Sequence, residues 1–209
     1  MTPPHRTAFV LGGGGLLGAV EVGMLRALLE AGVEPDLLLG TSVGALNGAL
    51  VAADPGPGVI DRLVALWESA AATKEVYGDN PVRQVTRAVR TGTHLHSAKP
   101  LRERLAAELG DRTFAELAVE FQCCAASIER AAEHWFTEGP VVPAVMASAA
   151  VPGLLPPGRV GEEHFLDGGI VNSIPVGRAV QLGATRIYVL QVGRIDRPLS
   201  APRRPWEVA

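Results

Sequence analysis

The 209-residue chain is poor in cysteine, lysine and aromatic residues, and it has no excess of positive charge. Its two cysteines, Cys123 and Cys124, are adjacent in an apolar stretch, which excludes a disulfide framework and a Cys-x-x-Cys metal site. Only Lys74 and Lys99 are lysines, and the formal net charge is −3, which argues against a surface that grips a nucleic-acid backbone. We therefore expect reduced cysteines and no nucleic-acid partner.

Long apolar runs are also missing. No stretch approaches the roughly 20 apolar residues of a membrane-spanning helix, and the N-terminal residues lack the apolar segment of a signal peptide. These absences predict a cytoplasmic protein for which any membrane contact is peripheral. The 47% hydrophobic content suits one packed domain over residues 1–209, with a core at about residues 7–193 and an extended or disordered proline-rich tail at residues 194–209.

Short apolar runs and amphipathic stretches alternate along the chain. A strand at Thr7–Leu11 precedes a glycine turn and a helix at Val20–Leu29, and a strand at Leu37–Leu39 precedes a second turn and a helix to about Ala53. Further helices are predicted at Val59–Ala72, at Leu101–Leu109, in "VVPAVMASAAVPG" as far as Pro152, and at Val176–Leu182. Further strands are predicted in "FQCCAASIE", "EHWFTEG" and "HFLD" and at Arg186–Val192, a run typical of the centre of a parallel sheet. This alternation favours an α/β fold.

Four consecutive glycines, Gly12–Gly15, follow the first strand. With Gly18 they contain the G-x-G-x-x-G pattern of dinucleotide sites, but the acid expected after the second strand is missing, because Glu34 and Asp36 precede that strand. No Gly-Lys-Ser/Thr follows, which excludes a P-loop. A tight turn accounts for one or two of the glycines, whereas backbone amides that bind an anion account for the whole run.

A second glycine motif, Gly40-Thr41-Ser42-Val43-Gly44, stands between a predicted strand and a predicted helix. This is the G-x-S-x-G of a nucleophile elbow, in which Gly40 and Gly44 flank a strained turn that exposes the serine hydroxyl. The ordinary alternative is a strand-to-helix turn capped by Ser42. If Ser42 attacks a carbonyl, amides of the upstream glycines supply an oxyanion hole, with each donor worth about 3 kcal/mol of barrier.

A nucleophilic serine needs a base. The histidines are His5, His94, His96, His134 and His164. None follows residue 164, where an α/β-hydrolase carries its catalytic histidine. Asp167-Gly168-Gly169, after the "HFL" run, offers a carboxylate instead, although an Asp-Gly pair is also an ordinary turn. The combination of the three motifs favours a serine and aspartate pair.

The motifs "GGGGLLG", "GTSVG", "ASAAVPGLLPP", "FLDGG", "NSIP" and "LGATRIYVLQV", in this order, resemble the patatin-like phospholipase family of lipid acyl hydrolases over about residues 7–193. The resemblance implies a three-layer α/β/α sandwich with a mostly parallel central sheet, related to cytosolic phospholipase A2. It also implies ester hydrolysis through an acyl-enzyme, with Ser42 as nucleophile and Asp167 as base, without cofactor or metal. Gly13, Gly14 and Gly15 then form the oxyanion hole.

One position departs from the family pattern G-G-G-x-[RK]-G, because Leu17 stands where the pattern has a cation. This predicts a preference for neutral acyl esters over anionic lipid headgroups, unless Leu17 only packs in the core. We expect "VPGLLPPG" to line an acyl pocket or contact lipid, with core packing as the alternative. Acyltransferase or thioesterase activity on the same serine and aspartate remains open, as does a catalytically silent binding module.

Overall fold

The computed structural model describes residues 5–72 and 94–193. Its strands are β1 (Thr7–Leu11), β2 (Leu37–Thr41), β3 (Glu120–Ser127), β4 (Ala132–Phe136), β5 (Gly158–Val160), β6 (Glu163–Asp167) and β7 (Arg186–Leu190). The α-helices in these residues are α1 (Gly18–Glu30), α2 (Val43–Ala53), α3 (Val59–Ala72), α4 (Lys99–Leu109), α5 (Val141–Ser148) and α6 (Val176–Gln181). Short 3-10 turns lie at Gly15–Leu17, Phe114–Glu116 and Gly168–Ile170.

The strands form one sheet in the order β5-β6-β3-β2-β1-β7, and β4 also pairs with β3. Strands β3, β2, β1 and β7 are parallel to one another. Strands β4 and β6 run antiparallel to β3, and β5 runs antiparallel to β6, so β5 has the direction of β3. The predicted mostly parallel sheet is therefore present, with two strands reversed at one side.

Side chains of the central strands alternate between the two faces of the sheet, as the two-residue period of a strand requires. Phe9 and Leu38 face the larger core, to which α1, α2, α3, α4 and α5 contribute. Val10 and Leu39 face a smaller core, which Ala179 of α6 completes. Helices therefore cover both faces, which confirms the predicted three-layer α/β/α arrangement, with most of the described helices on one side.

Helix α2 is the central helix of the larger layer. Its first ten residues are all buried, which is expected for a helix that is apolar all round rather than amphipathic. Small residues allow the close approach: a Cβ at Gly48 would lie 3.1 Å from the ring of Phe121 on β3. The residue that begins this helix is therefore held firmly against the sheet.

Two predicted elements need correction. Arg186–Val192 was predicted at the sheet centre, but in the described chain β7 pairs only with β1 and Val189 is 45% exposed. A β-branched run indicates strand propensity and does not specify a position in the sheet. Helix α5 ends at Ser148 rather than near Pro152, because Pro152 has no backbone N–H to donate to the carbonyl of Ser148, four residues earlier, and its ring would clash with that carbonyl in a helix. The predicted tail at residues 194–209 lies outside the described residues.

Candidate active site

Strands β2 and β6 run in opposite directions, and their C-terminal ends lie beside adjacent residues of β3. Thr41, the last residue of β2, lies opposite Cys124, and Asp167, the last residue of β6, lies opposite Ala125. Strand β4 pairs with the same two residues of β3 along the other edge, so β2 and β6 share one edge. Their carboxyl ends therefore meet head-on, which brings Asp167 beside the residue that follows Thr41.

That residue is Ser42, and it is hydrogen-bonded to the aspartate. Ser42 Oγ donates to Asp167 Oδ2 at 2.6 Å, and the backbone N–H of Gly169 donates to Asp167 Oδ1 at 2.7 Å. The serine is 7% exposed and the aspartate 6% exposed. Burial raises the pKa of Asp167 above its usual value, against the lowering effect of these two hydrogen bonds. A desolvated carboxylate in this position is a stronger base towards the serine hydroxyl than one in water.

The backbone at Ser42 is strained, as in a nucleophile elbow. Its φ of 56° is in the left-handed region, where a residue other than glycine is uncommon. A Cβ at Gly40 would lie 2.5 Å from the Cα of Ala45, and one at Gly44 would lie 2.3 Å from the carbonyl oxygen of Leu11. Only glycine fits at either position, so both flanking glycines serve the turn that carries the serine.

Ser148 is a site residue that the sequence did not reveal. The backbone N–H of Ser42 donates to Ser148 Oγ at 2.9 Å, and Ser148 Oγ donates to the carbonyl of Cys124 at 2.6 Å. Ser148 is fully buried at the end of α5. Ser148 therefore connects the elbow to β3. In the sequence it is one serine among the small residues of the "ASAAVPGLLPP" motif, and nothing there indicates its hydrogen bonds.

The glycine loop lies against the elbow. A Cβ at Gly13 would lie 3.5 Å from the Cβ of Ser42. The Gly13 amide, however, already donates to the carbonyl of Ser173 at 3.0 Å. In the described chain the amides of Gly14 and Gly15 have no protein acceptor. This geometry argues against Gly13 as a donor and narrows the expected oxyanion hole to the other two glycines.

An apolar cavity of about 70 Å³ opens at Ser42. Its lining consists of Gly15, Leu16, Ser42, Val43, Leu46, Leu66, Trp67, Leu101, Arg104, Ala149, Val151 and Leu155. Val151 and Leu155 come from the "VPGLLPPG" loop, as expected for a pocket wall. Leu16 is 61% exposed and Leu17 is 48% exposed, so core packing does not explain Leu17. The mouth of the cavity is thus bordered by exposed leucine.

Three further features of the described residues bear on the expectations from the sequence. Residues 5–72 and 94–193 contain no group of three or more His, Cys, Asp or Glu side chains that could hold a metal ion, and no helix long and apolar enough to cross a membrane. Asp36, one of the acids weighed for a dinucleotide site, accepts a hydrogen bond from the backbone N–H of Thr7 at 2.7 Å. It lies where β1 begins, at the opposite end of the strand from the glycine loop.

Comparison with known proteins agrees with this geometry. A family model described as patatin-like phospholipase matches residues 9–180, which is most of the chain. The chain belongs to the patatin-like phospholipase family. That family model spans both strand ends of the candidate site, and the predicted resemblance is confirmed.

Members of the patatin-like phospholipase family are also found among the similar curated proteins. Lysophospholipase nte1 of Aspergillus terreus is 32% identical over 195 residues, covering 90% of this chain and 12% of that protein. A patatin-like phospholipase domain-containing protein of Caenorhabditis elegans is 32% identical over 193 residues, covering 90% of this chain and 14% of that protein. The chain thus spans about an eighth of the length of these relatives.

Among solved structures, the crystal structure of VipD from Legionella pneumophila superimposes with a TM-score of 0.51 at 18% identity. The match covers 83% of this chain and 47% of VipD. At this identity the likeness concerns the fold alone, and it agrees with the layered α/β architecture.

Proposed function

We propose that this protein is a serine lipid acyl hydrolase of the esterase or phospholipase A type, which cleaves carboxylic esters through Ser42 and Asp167. The observation that carries the proposal is the 2.6 Å hydrogen bond from Ser42 Oγ to Asp167 Oδ2 at two meeting strand ends. Neither residue makes a hydrogen bond to a histidine in the described chain. The family membership and the lysophospholipase relative support lipid esters as the substrate class.

In the proposed reaction, Ser42 Oγ attacks the ester carbonyl carbon while Asp167 takes the hydroxyl proton. The tetrahedral intermediate collapses with loss of the alcohol, which receives that proton, and leaves an acyl-serine. Water then attacks the acyl-serine, again giving its proton to Asp167, and the acid is released. Ser42 stands before the first turn of α2, so the helix dipole favours negative charge as the hydroxyl loses its proton.

The amides of Gly14 and Gly15 are the proposed oxyanion donors. A positive φ of 56° at Gly15 turns the chain there, a conformation that glycine adopts without steric cost. Neither amide has a protein acceptor in the described residues, so both are available to an oxygen that becomes charged only during the reaction. A donor prepared in this way stabilises the transition state more than the ground state.

The surroundings of the pocket support a hydrophobic acyl substrate. Leu16 lines the cavity and is largely exposed, and Leu17 and Val20 continue the same exposed apolar strip along the start of α1. We propose that this strip receives the acyl chain and forms a peripheral contact with a lipid surface, since exposed apolar patches mark interaction sites. A neutral ester suits it better than an anionic headgroup, because leucine at position 17 carries no charge.

The test is labelling with a fluorophosphonate probe, followed by peptide mapping and product analysis. We expect the wild type to be labelled at Ser42 and Ser42→Ala to lose both labelling and hydrolysis of acyl p-nitrophenyl esters. Ser97→Ala, which removes a hydroxyl outside the cavity lining, serves as the matched control and should behave as the wild type. Labelling at another residue would contradict the proposal, and acyl transfer to added alcohols in preference to water would indicate an acyltransferase.

A further inference from the structure

A buried polar cluster lies at the start of α1, directly after the glycine loop. Glu21 of α1 and Asn47 of α2 are both completely buried. The Asn47 amide group donates to Glu21 Oε2 at 2.9 Å and to the carbonyl of Gly18 at 3.0 Å. The indole N–H of Trp67 on α3 donates to Asn47 Oδ1 at 3.0 Å. One asparagine side chain therefore joins three helices.

The cluster contacts the glycine loop at the end that leads into α1. Gly18 is the residue at which the 3-10 turn after the glycines passes into α1. Its packing leaves no room for a side chain, because a Cβ there would lie 2.1 Å from Val43 and 2.7 Å from the ring of Trp67. At the other end, the backbone N–H of Gly12 donates to the carbonyl of Leu190 on β7 at 3.1 Å. The proposed oxyanion donors lie between these two fixed points.

We infer that Glu21 and Asn47 are positioning residues that hold the glycine loop in place, and that Glu21 does so as a neutral carboxylic acid. The inference rests on the proposed function, because it concerns the geometry of the Gly14 and Gly15 amides. A neutral group is required for electrostatic reasons: a carboxylate buried in the first turn of α1 would repel the negative charge that the loop before it is meant to stabilise.

The environment of Glu21 supports the neutral form. Burial raises the pKa of Glu21 to about 8, against the lowering effect of the Asn47 side chain and the Gly12 backbone. Its Oε1 is buried without a hydrogen-bond partner in the described residues. Helix α2 has no charged residue, and on α3 Asp61 and Glu68 are exposed.

No neighbouring cation neutralises this carboxyl group in the described residues. Arg62 of α3 pairs with Glu108 of α4 at 2.8 Å, so its charge is already matched elsewhere. A lone buried carboxylate is costly to form, and protonation is the usual way in which a protein avoids that cost.

The first test compares pH profiles of kcat for the wild type, Glu21→Gln and Glu30→Gln, with Ser42→Ala as the blank for spontaneous hydrolysis. We expect wild-type kcat to fall above pH 8 by about tenfold per pH unit, as Glu21 loses its proton. Glutamine stays neutral, so Glu21→Gln should lose this alkaline decline, while Glu30→Gln, at the exposed end of the same helix, should keep it. An alkaline decline that persists in Glu21→Gln would overturn the inference.

A second variant separates loop positioning from pocket structure. Asn47→Asp keeps an oxygen for the Trp67 indole but loses the amide donors to Gly18 and Glu21. We expect kcat to fall by tenfold or more while KM changes by less than threefold, because the apolar pocket wall is retained. A change confined to KM would assign Asn47 to the pocket and contradict a positioning role.

NMR provides a readout that does not depend on turnover. The Glu21 carboxyl carbon should titrate near pH 8, and the amide signals of Gly14 and Gly15 should shift with it in the wild type but not in Glu21→Gln. Titration of Glu21 near pH 4.5 would overturn the inference. If Ser42-dependent hydrolysis is absent while these amides still follow Glu21, the proposed function fails and the coupling of Glu21 to the loop stands.

Discussion

Asp167 and Glu21 are both buried carboxyl groups with a raised pKa; Asp167 contacts Ser42, whereas Glu21 lies in the first turn of α1, after the glycine loop. Asp167 accepts hydrogen bonds on both oxygens, from Ser42 Oγ and the Gly169 amide. Glu21 accepts one from Asn47 and has a buried oxygen without a partner in the described residues. Two acids of similar burial thus differ in the number of donors that face them, and this difference is the basis for the different roles proposed for them.

The largest effect should follow from removing the base. Asp167→Asn keeps the size of the side chain but cannot accept the serine proton, and we expect kcat to fall by about 10²–10⁴-fold, the usual contribution of a general base. Hydrolysis of a p-nitrophenyl ester measures it, with Glu162→Gln as a control because that acid is 94% exposed. Wild-type turnover in Asp167→Asn would assign the base to another group.

A smaller effect is expected on the free energy of unfolding, whose pH dependence should reflect the ionisation of Glu21. Glu21 has a pKa of about 8 in the folded protein and 4.5 in the unfolded chain, so between these values only the folded state holds the proton. The free energy of unfolding should therefore fall by about 1.4 kcal/mol per pH unit over this interval because of Glu21. Urea denaturation of the wild type and Glu21→Gln at pH 5, 7 and 9 measures the difference. Parallel curves for the two proteins would mean that Glu21 ionises normally.

A similar or smaller loss is expected from Ser148, which supports the elbow on the Asp167 side. Ser148→Ala leaves the Ser42 amide without its acceptor, and a buried unsatisfied donor costs about 1–3 kcal/mol. We expect a matching drop in the free energy of unfolding and a tenfold decrease in kcat. Ser148→Thr, which keeps the hydroxyl, is the companion variant and should retain more of the free energy of unfolding than Ser148→Ala. Wild-type stability and kcat in Ser148→Ala would show that the hydroxyl is dispensable.

The smallest effect should come from Leu17, at the exposed edge of the loop. Leu17→Arg places a cation beside the proposed oxyanion donors, and a guanidinium favours a phosphate-bearing substrate by charge-assisted hydrogen bonds. We expect a gain of a few-fold in kcat/KM for a diacyl phospholipid relative to a neutral ester. Exposed Val180→Arg on α6 is the control for added charge. A wild-type preference for phospholipid would refute the substrate argument and leave the Ser42 and Asp167 proposal intact.

Local signatures of strands and helices predicted the α/β class, and Thr7–Leu11 and Val59–Ala72 are strand and helix with the predicted bounds. The three-layer arrangement followed from the resemblance to the patatin-like phospholipase family. The sequence predicted the turn that carries Ser42, the proposed nucleophile, because the glycines of G-x-S-x-G specify that turn locally. The edge position of β7 was missed, since local propensity carries no information about which strand lies beside it.

Short sequence motifs did not predict every residue of the candidate site. Asn47 and Glu21 are ordinary residues until the fold buries them together, and no local motif marks their contact. Ser148 stands in the "ASAAVPGLLPP" motif, but the motif does not reveal its hydrogen bonds to Ser42 and Cys124.

The sequence predicts the Gly13 amide as an oxyanion donor. In the structure this amide donates to the carbonyl of Ser173, which lies 160 residues further along the chain, so the sequence near Gly13 does not reveal this bond.

The meeting of β2 and β6 on one edge of β3 also has a consequence for folding. Ser42 and Asp167 are 125 residues apart, so their hydrogen bond forms only after a very large loop has closed. Local helices form early and long-range strand pairings late, which makes this pair a marker of the final folding events. In a refolding experiment, recovery of probe labelling should lag behind recovery of helical circular dichroism, so that the reactive serine reports when the chain has finished assembling.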